Sequence, residues 1–373
     1  MRTSAGRHAY LDWVRGVAVL IMIEAHVLDS WTAAADRSRP LFGYAMILGG
    51  FGAPLFLLLA GVAVILSAES KFRKTGDFAA AWRATQKRGW QLFGLAFLFR
   101  LQSFILGGGY NAIGILKVDI LNIMGPGIAM AAMLGRLAKQ NTVRAVLFAA
   151  ATCGIALLTP IVRVAPALTF LPDPVEWYFR PTSGRTNFTL FPWVGFVFAG
   201  GVLGVIIDRL RADEGARRLQ VIMGIAGATL VVFAHLASFQ PSLYARSDYW
   251  TTSPSFFFLR VGLLTLLLPI GYLWEHAPFR HKLSTWSYLE EFGRASLFVY
   301  WIHVEIAYGI FTYPIHRSLP LSVSFPAYVV LTLCLLGAAV LWQRRGRGPL
   351  IPANLRADSQ TVRPVTSRLL RTP

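Results

Sequence analysis

Ten apolar runs of about 18 to 21 residues follow one another along the 373-residue chain, separated by short joints rich in Lys and Arg. At ~1.5 Å of rise per helical residue, a run of that length suffices for a hydrocarbon core of about 30 Å. Periodicity alone does not separate a membrane span from a buried core helix, but the number of runs and their basic punctuation do. Composition agrees: 55% of residues are hydrophobic, 14% are charged and the mean hydropathy is +0.52. A soluble domain of this size needs a far more charged surface. The sequence therefore predicts an all-α, polytopic transmembrane helix bundle. Its spans are expected near 10–30, 47–67, 89–106, 118–135, 145–162, 189–207, 219–238, 256–274, 295–313 and 325–343.

The basic residues sort by loop. Alternate joints, together with the first residues and the tail, hold 25 Lys and Arg; the other set of loops holds 8. By the positive-inside bias both termini are expected in the cytoplasm, in a cell membrane of bacterial type. The formal net charge of +18 is then explained by topology and by anionic lipid headgroups, and nucleic acid is not expected as a partner. Residues 1–343 are expected to form one membrane domain, with 344–373 a basic, disordered cytoplasmic tail. Arg2 and Arg7 precede an apolar stretch as in a signal peptide, but that stretch contains Arg15, Glu24 and His26 and lacks an A-x-A-like cleavage site. It reads as a retained first span. Cys153 and Cys334 lie inside apolar runs without metal-ligand spacing, so neither a zinc site nor a disulfide is expected.

The chemistry concentrates in that first span. An ionisable side chain at the centre of a membrane helix costs at least ~2.5 kcal/mol and normally faces protein or water. Asp12, Arg15, Glu24, His26 and Asp29 all fall within it. Residues three, four or eleven apart share a helix face. Asp12, Arg15, His26 and Asp29, with Val19 and Met22 between, therefore form one stripe, and Glu24 points elsewhere. Arg15 and His26 are separated by ~16 Å along the axis. Read as chemistry, the stripe offers a cation for a phosphate or carboxylate near the cytoplasm, an imidazole for proton or acyl transfer deeper in, and Asp29 to hold its tautomer. Read as architecture, Asp12–Arg15 is an intrahelical pair, Arg15 snorkels and His26 bonds a neighbouring helix.

Other spans carry further candidates. Arg100 and Arg260 could bind an anionic acceptor or balance Glu24, Asp119 or Glu305. Asp119 and Asn122 lie one turn apart near Gly125-Pro126-Gly127, where a helix can kink; they suit a substrate contact or a polar helix contact. Ser296, Tyr300 and His303 share a face of the ninth span, with His303 either a second acid/base or a satisfied core residue. The loop 163–188, rich in Pro and aromatic residues, suits an interfacial belt or a substrate lid. No H-E-x-x-H, P-loop or G-x-S-x-G motif is present, and no metal is expected.

Several of these segments are familiar. Leu11-Asp12-Trp13-Val14-Arg15-Gly16, followed by His26, resembles the arginine-x10-histidine opening of the acyltransferase-3 family of integral-membrane acyltransferases. Pro54-Leu55-Phe56-Leu57-Leu58-Leu59-Ala60-Gly61 resembles the second-span motif of that superfamily, with Ala60 where serine is frequent. Lys117-Val118-Asp119-Ile120-Leu121-Asn122-Ile123-Met124-Gly125, and Phe191-Pro192-Trp193 with Gly200 and Gly204, are similar to bacterial relatives of heparan-α-glucosaminide N-acetyltransferase. Gly293-Arg294-Ala295-Ser296, with Tyr300 and His303, resembles a late segment of both groups. The heparan enzyme's own histidine lies in a longer loop with no counterpart here, so the resemblance carries a catalytic role only onto His26 and a supporting one onto Arg15.

What the resemblance implies is transfer of an acyl group, such as acetyl, from cytosolic acyl-CoA to a sugar or glycolipid acceptor at the outer side. His26, Arg15 and Asp29 would be its catalytic set. Asp12, Arg100, Asp119, Asn122, Arg260, Tyr300 and His303 would be its substrate-binding set. The competing expectation is a transporter or flippase, which ten spans, buried charges and a Gly-Pro-Gly break also suit.

Overall fold

The computed structural model describes residues 9–107, 112–209, 213–277 and 286–346. All of the expected tail beyond Gly346, and Gly108 and Gly109, lie outside the described residues. The described chain is helical, with two isolated bridges and no β-strand among the described residues. In chain order the helices are α1 (Ala9–Trp31), α2 (Pro40–Gly49), α3 (Gly52–Thr75), α4 (Phe78–Leu106), α5 (Ile120–Arg136), α6 (Asn141–Val162), α7 (Asp173–Glu176), α8 (Leu190–Arg209), α9 (Asp213–Ser238), α10 (Pro254–Glu275), α11 (Tyr288–Arg294), α12 (Ser296–Tyr308) and α13 (Leu321–Gly346).

Seven stretches are long and apolar enough to cross a membrane: α2–α3 as one unit, α4, α6, α8, α9, α10 and α13. The other three expected spans are helical but of different character. Helix α1 is long enough yet carries five ionisable residues. Helix α5 has 17 residues, and the expected ninth span ends early, at Tyr308, where a 3-10 segment (Ile310–Ile315) follows, leaving α12 with 13. Helix α13 continues three residues past the expected domain boundary.

Helix α1 is the hub and packs against α2, α3, α10, α11, α12 and α13. Apolar burial does little to hold helices together where lipid is equally apolar, so close backbone approach and polar contacts take over. A methyl group on Gly16 would strike the Leu289 carbonyl of α11, and one on Gly293 would strike the Asp12 carbonyl of α1. The late Gly-Arg motif thus allows a backbone crossing, and Arg294 turns back to Glu290 and Glu291, at 2.8 Å each. At its other end, α1 is tied to α12 by Ser30 Oγ and Trp31 Nε1. Both donate to the Ala307 carbonyl, at 2.5 and 3.1 Å.

Two sequence-level readings change on folding. Arg144, counted among the loop cations, is 1% exposed: it pairs with Glu69 at 2.6 Å and donates to the Ala138 carbonyl. The 163–188 loop ends in cavity wall: Val118 bridges to Thr186, and Trp177 packs with Val118 and Ile123.

Candidate active site

Helices α1, α3, α4, α5 and α12 enclose a cavity of about 1610 Å³. It extends along α1 from Arg15 to Asp29, and Met22, Ala25 and His26 line it between them. Fourteen residues of helix correspond to ~21 Å. The guanidinium and the imidazole of the stripe therefore open into one space. Val19 is buried in a neighbouring apolar cluster, and Glu24 is buried without lining the cavity.

The same cavity is lined by Ser67 and Lys71 from the C-terminal part of α3 and by Thr85 and Arg88 from the N-terminal half of α4. Arg15 holds Asp12 at 3.0 Å, and Asp12 sits behind it, buried and away from the cavity. Lys71 and Arg88 form no ion pair with the described residues. The carboxylates that line the cavity are Asp29, Asp119 and Glu305, all at the His26 end. Arg15, Lys71 and Arg88 thus line one cavity and none of them pairs with a lining carboxylate, an arrangement suited to phosphate groups. Lys71 and Arg88 were legible only as topology charges, because nothing in the linear sequence tells that α3 and α4 line a cavity together with α1.

The His26 end mixes both signs. Arg100 pairs with Asp119, and Ser103 donates to Glu305. Lys117 also lines the cavity; burial, and then the neighbouring Arg100, hold its ammonium below the usual lysine range against the pull of Asp119. Asp119 caps α5: its carboxylate accepts from the Ile120 N–H, and its own N–H donates to the Asn122 side chain at 3.1 Å. Asn122 is fully buried in this box, with its amide 3.5 Å from the Tyr178 hydroxyl, and does not line the cavity. Arg260 does not line it either. Its guanidinium lies among the rings of Phe51, Trp193, Phe196 and Phe256 and donates to the Gly50 carbonyl. Tyr300 lines the wall and meets His303 edge-on.

The contacts of the imidazole differ from the sequence expectation. His26 Nδ1 lies 2.8 Å from Nε2 of His303. Asp29, one turn on, instead accepts from the Tyr308 hydroxyl at 3.0 Å and pairs with Arg37 at 3.4 Å. Arg37 also donates to the Asp29 and Thr32 carbonyls, capping the end of α1. The i,i+3 spacing brings Asp29 to the same face, but the ring turns toward α12, where His303 waits. His26 Nε2 makes no hydrogen bond with the described residues and is left for the cavity.

A free imidazole nitrogen in a large cavity, some 16 Å from a cationic cluster, suits transfer of a group carried on a long phosphate-bearing arm. The sequence profile described as heparan-alpha-glucosaminide N-acetyltransferase, catalytic, matches residues 7–236, more than half of the chain. The chain belongs to that family. No curated protein sequence matches it. Membership indicates an acetyltransferase embedded in a membrane and gives no support to the transporter alternative. Within the heparan-alpha-glucosaminide N-acetyltransferase family match lie Arg15, His26, Asp29, Lys71, Arg88, Arg100 and Asp119; His303 and Tyr308 lie beyond it.

Proposed function

We propose that the protein transfers an acetyl group from acetyl-CoA, entering from the cytoplasm, to the amine or hydroxyl of a sugar or glycolipid at the outer side of the membrane. Ten crossings with both termini cytoplasmic would fit this reading, and the Lys/Arg bias of 25 to 8 supports an Arg15 end on the inner side. Arg15, Lys71 and Arg88 would take the phosphates of the donor. Its thioester arm would run along α1 past Met22 to His26. The Nε2 lone pair would then remove the proton of the acceptor nucleophile as that nucleophile attacks the thioester carbonyl. The C–S bond would break, and the CoA thiolate would leave with the proton from the imidazolium. Alternatively, Nε2 itself would attack the carbonyl, expelling the CoA thiolate and forming an acetyl-imidazole. The acceptor would then attack that intermediate, with the imidazole regenerated and the acceptor's proton passing to the thiolate. Arg100, Asp119, Lys117 and Glu305 would face the acceptor. The resemblance of Arg15-x10-His26 to acyltransferase-3 enzymes points the same way.

The observation that carries this reading is that His26 Nε2 and three cations share one cavity. Its test is His26→Ala in reconstituted vesicles, with radiolabelled acetyl-CoA as donor and an α-glucosaminide as acceptor probe. Transfer is expected to fall by about 10³-fold, within the range of a lost acid–base or nucleophilic group. A folded variant that transfers at the wild-type rate would remove His26 from the mechanism.

A further inference from the structure

His303 has no exposed surface, lies outside the cavity lining, and still touches the imidazole that lines the cavity. Its Nδ1 is 2.7 Å from the Val299 carbonyl, one turn back on α12. A carbonyl oxygen only accepts, so Nδ1 of His303 must carry a hydrogen. In the neutral ring Nε2 is then a bare lone pair. That lone pair lies 2.8 Å from His26 Nδ1, so Nδ1 of His26 must donate. Its single hydrogen being spent there, Nε2 of His26 is unprotonated. The ring planes are 4° apart with centroids 5.0 Å apart, which suits an N–H···N bond running in the plane of both rings.

We propose that His303 is a positioning residue that fixes His26 in the Nδ1–H tautomer and presents the Nε2 lone pair to the cavity. The relay starts at a backbone carbonyl, and among the described residues no carboxylate hydrogen-bonds to either ring: Asp29 is held by Tyr308 and Arg37. A donor–acceptor pair of rings orients the reacting nitrogen without a carboxylate bonded to it. The proposal rests on the reading of His26 as the reacting group but concerns a separate fact, namely which nitrogen carries the proton.

The direct test needs no acceptor. With ¹⁵N-histidine-labelled protein in lipid, the resonances of His26 and His303 are assigned by loss in His26→Gln and His303→Gln. A coupling across the hydrogen bond between His26 Nδ1 and His303 Nε2 is expected, with Nε2 of His26 at the shift of an unprotonated nitrogen. A protonated Nε2 on His26 overturns the proposal. Turnover is the second readout, with acetyl-CoA and an α-glucosaminide. His303→Leu removes donor and acceptor and is expected to lower kcat by about 10²-fold or more, as a wrong tautomer does in related relays. KM for acetyl-CoA should stay within threefold. His303→Gln restores a donor for Val299 and an acceptor for His26, and should recover to within about tenfold of wild type. Equal, low activity in folded Leu and Gln variants counts against positioning through the hydrogen bond. If His303→Leu turns over normally while His26→Ala is inactive, only the His303 proposal fails. If His26→Ala is active, the catalytic reading fails, and the nitrogen shifts still decide the tautomer.

Discussion

The two ends of the cavity handle charge in opposite ways. Near Arg15 the lining is cationic, with Lys71 and Arg88 unanswered by any lining carboxylate. Near His26 nearly every charge is spoken for: Arg100 by Asp119, Asp29 by Arg37 and Tyr308, Glu305 by Ser103. An unpaired cation next to water is available to a ligand at little structural cost, whereas a paired one is part of the wall. Substitutions at the first end should therefore change donor binding, and those at the second should change stability first.

The largest departure is expected at the paired end. Asp119→Leu strips the Arg100 guanidinium of its counter-charge and also removes the N-terminal cap of α5. Orphaning a largely buried charge costs about 3 kcal/mol, and losing a cap adds about 1 kcal/mol. Thermal unfolding of purified protein should show a clear fall in Tm, which Arg100→Leu together with Asp119→Leu should partly reverse. An unchanged Tm would mean that this pair is as free for ligand as the cations at the other end.

Next in size is donor binding. Arg88→Ala is expected to raise KM for acetyl-CoA about tenfold, equivalent to ~1.4 kcal/mol, and Lys71→Ala by a similar factor. Neither should shift Tm appreciably, since each side chain lines the cavity without an ion pair to a described residue to lose. Raising the ionic strength should weaken wild-type donor binding more than that of the double variant. If instead both variants unfold early and bind the donor normally, the contrast between the two ends is wrong.

Legibility in the sequence divides along the same line. The helices are local facts: apolar runs of adequate length gave most span positions to within a few residues, and the 3.6-residue repeat placed Arg15, Met22, His26 and Asp29 on one cavity wall. Departures in the fold have local causes too: Gly309 and a 3-10 segment containing Pro314 end α12 early, and charge sets α1 apart from the other long helices. Contacts between helices were not legible. Asn122 and Arg260, plausible ligand groups as isolated residues, are spent on a helix cap and an aromatic cage. Lys71 and Arg88 become site residues only because α3 and α4 share a cavity with α1. His303 looked like a second acid/base or a core residue; the geometry gives it a partner that a spacing of 277 positions from His26 cannot reveal.

The smallest effect is expected at Asp29, where helical spacing and folded geometry disagree most sharply. Spacing makes it the natural partner of the imidazole, and an aspartate in that role is worth several orders of magnitude in turnover. In the fold its oxygens face Tyr308 and Arg37, and the imidazole proton goes to His303. Asparagine at this position keeps an oxygen acceptor for the Tyr308 hydroxyl and loses only a charge whose Arg37 partner also bonds the Asp29 and Thr32 carbonyls. Asp29→Asn should therefore leave kcat within about threefold of wild type, far short of the loss that follows removal of a triad-type carboxylate. A hundredfold loss in folded Asp29→Asn, with normal donor KM, would return the orienting role to the carboxylate. It would also mean that during turnover the ring swings away from His303 toward its own helix.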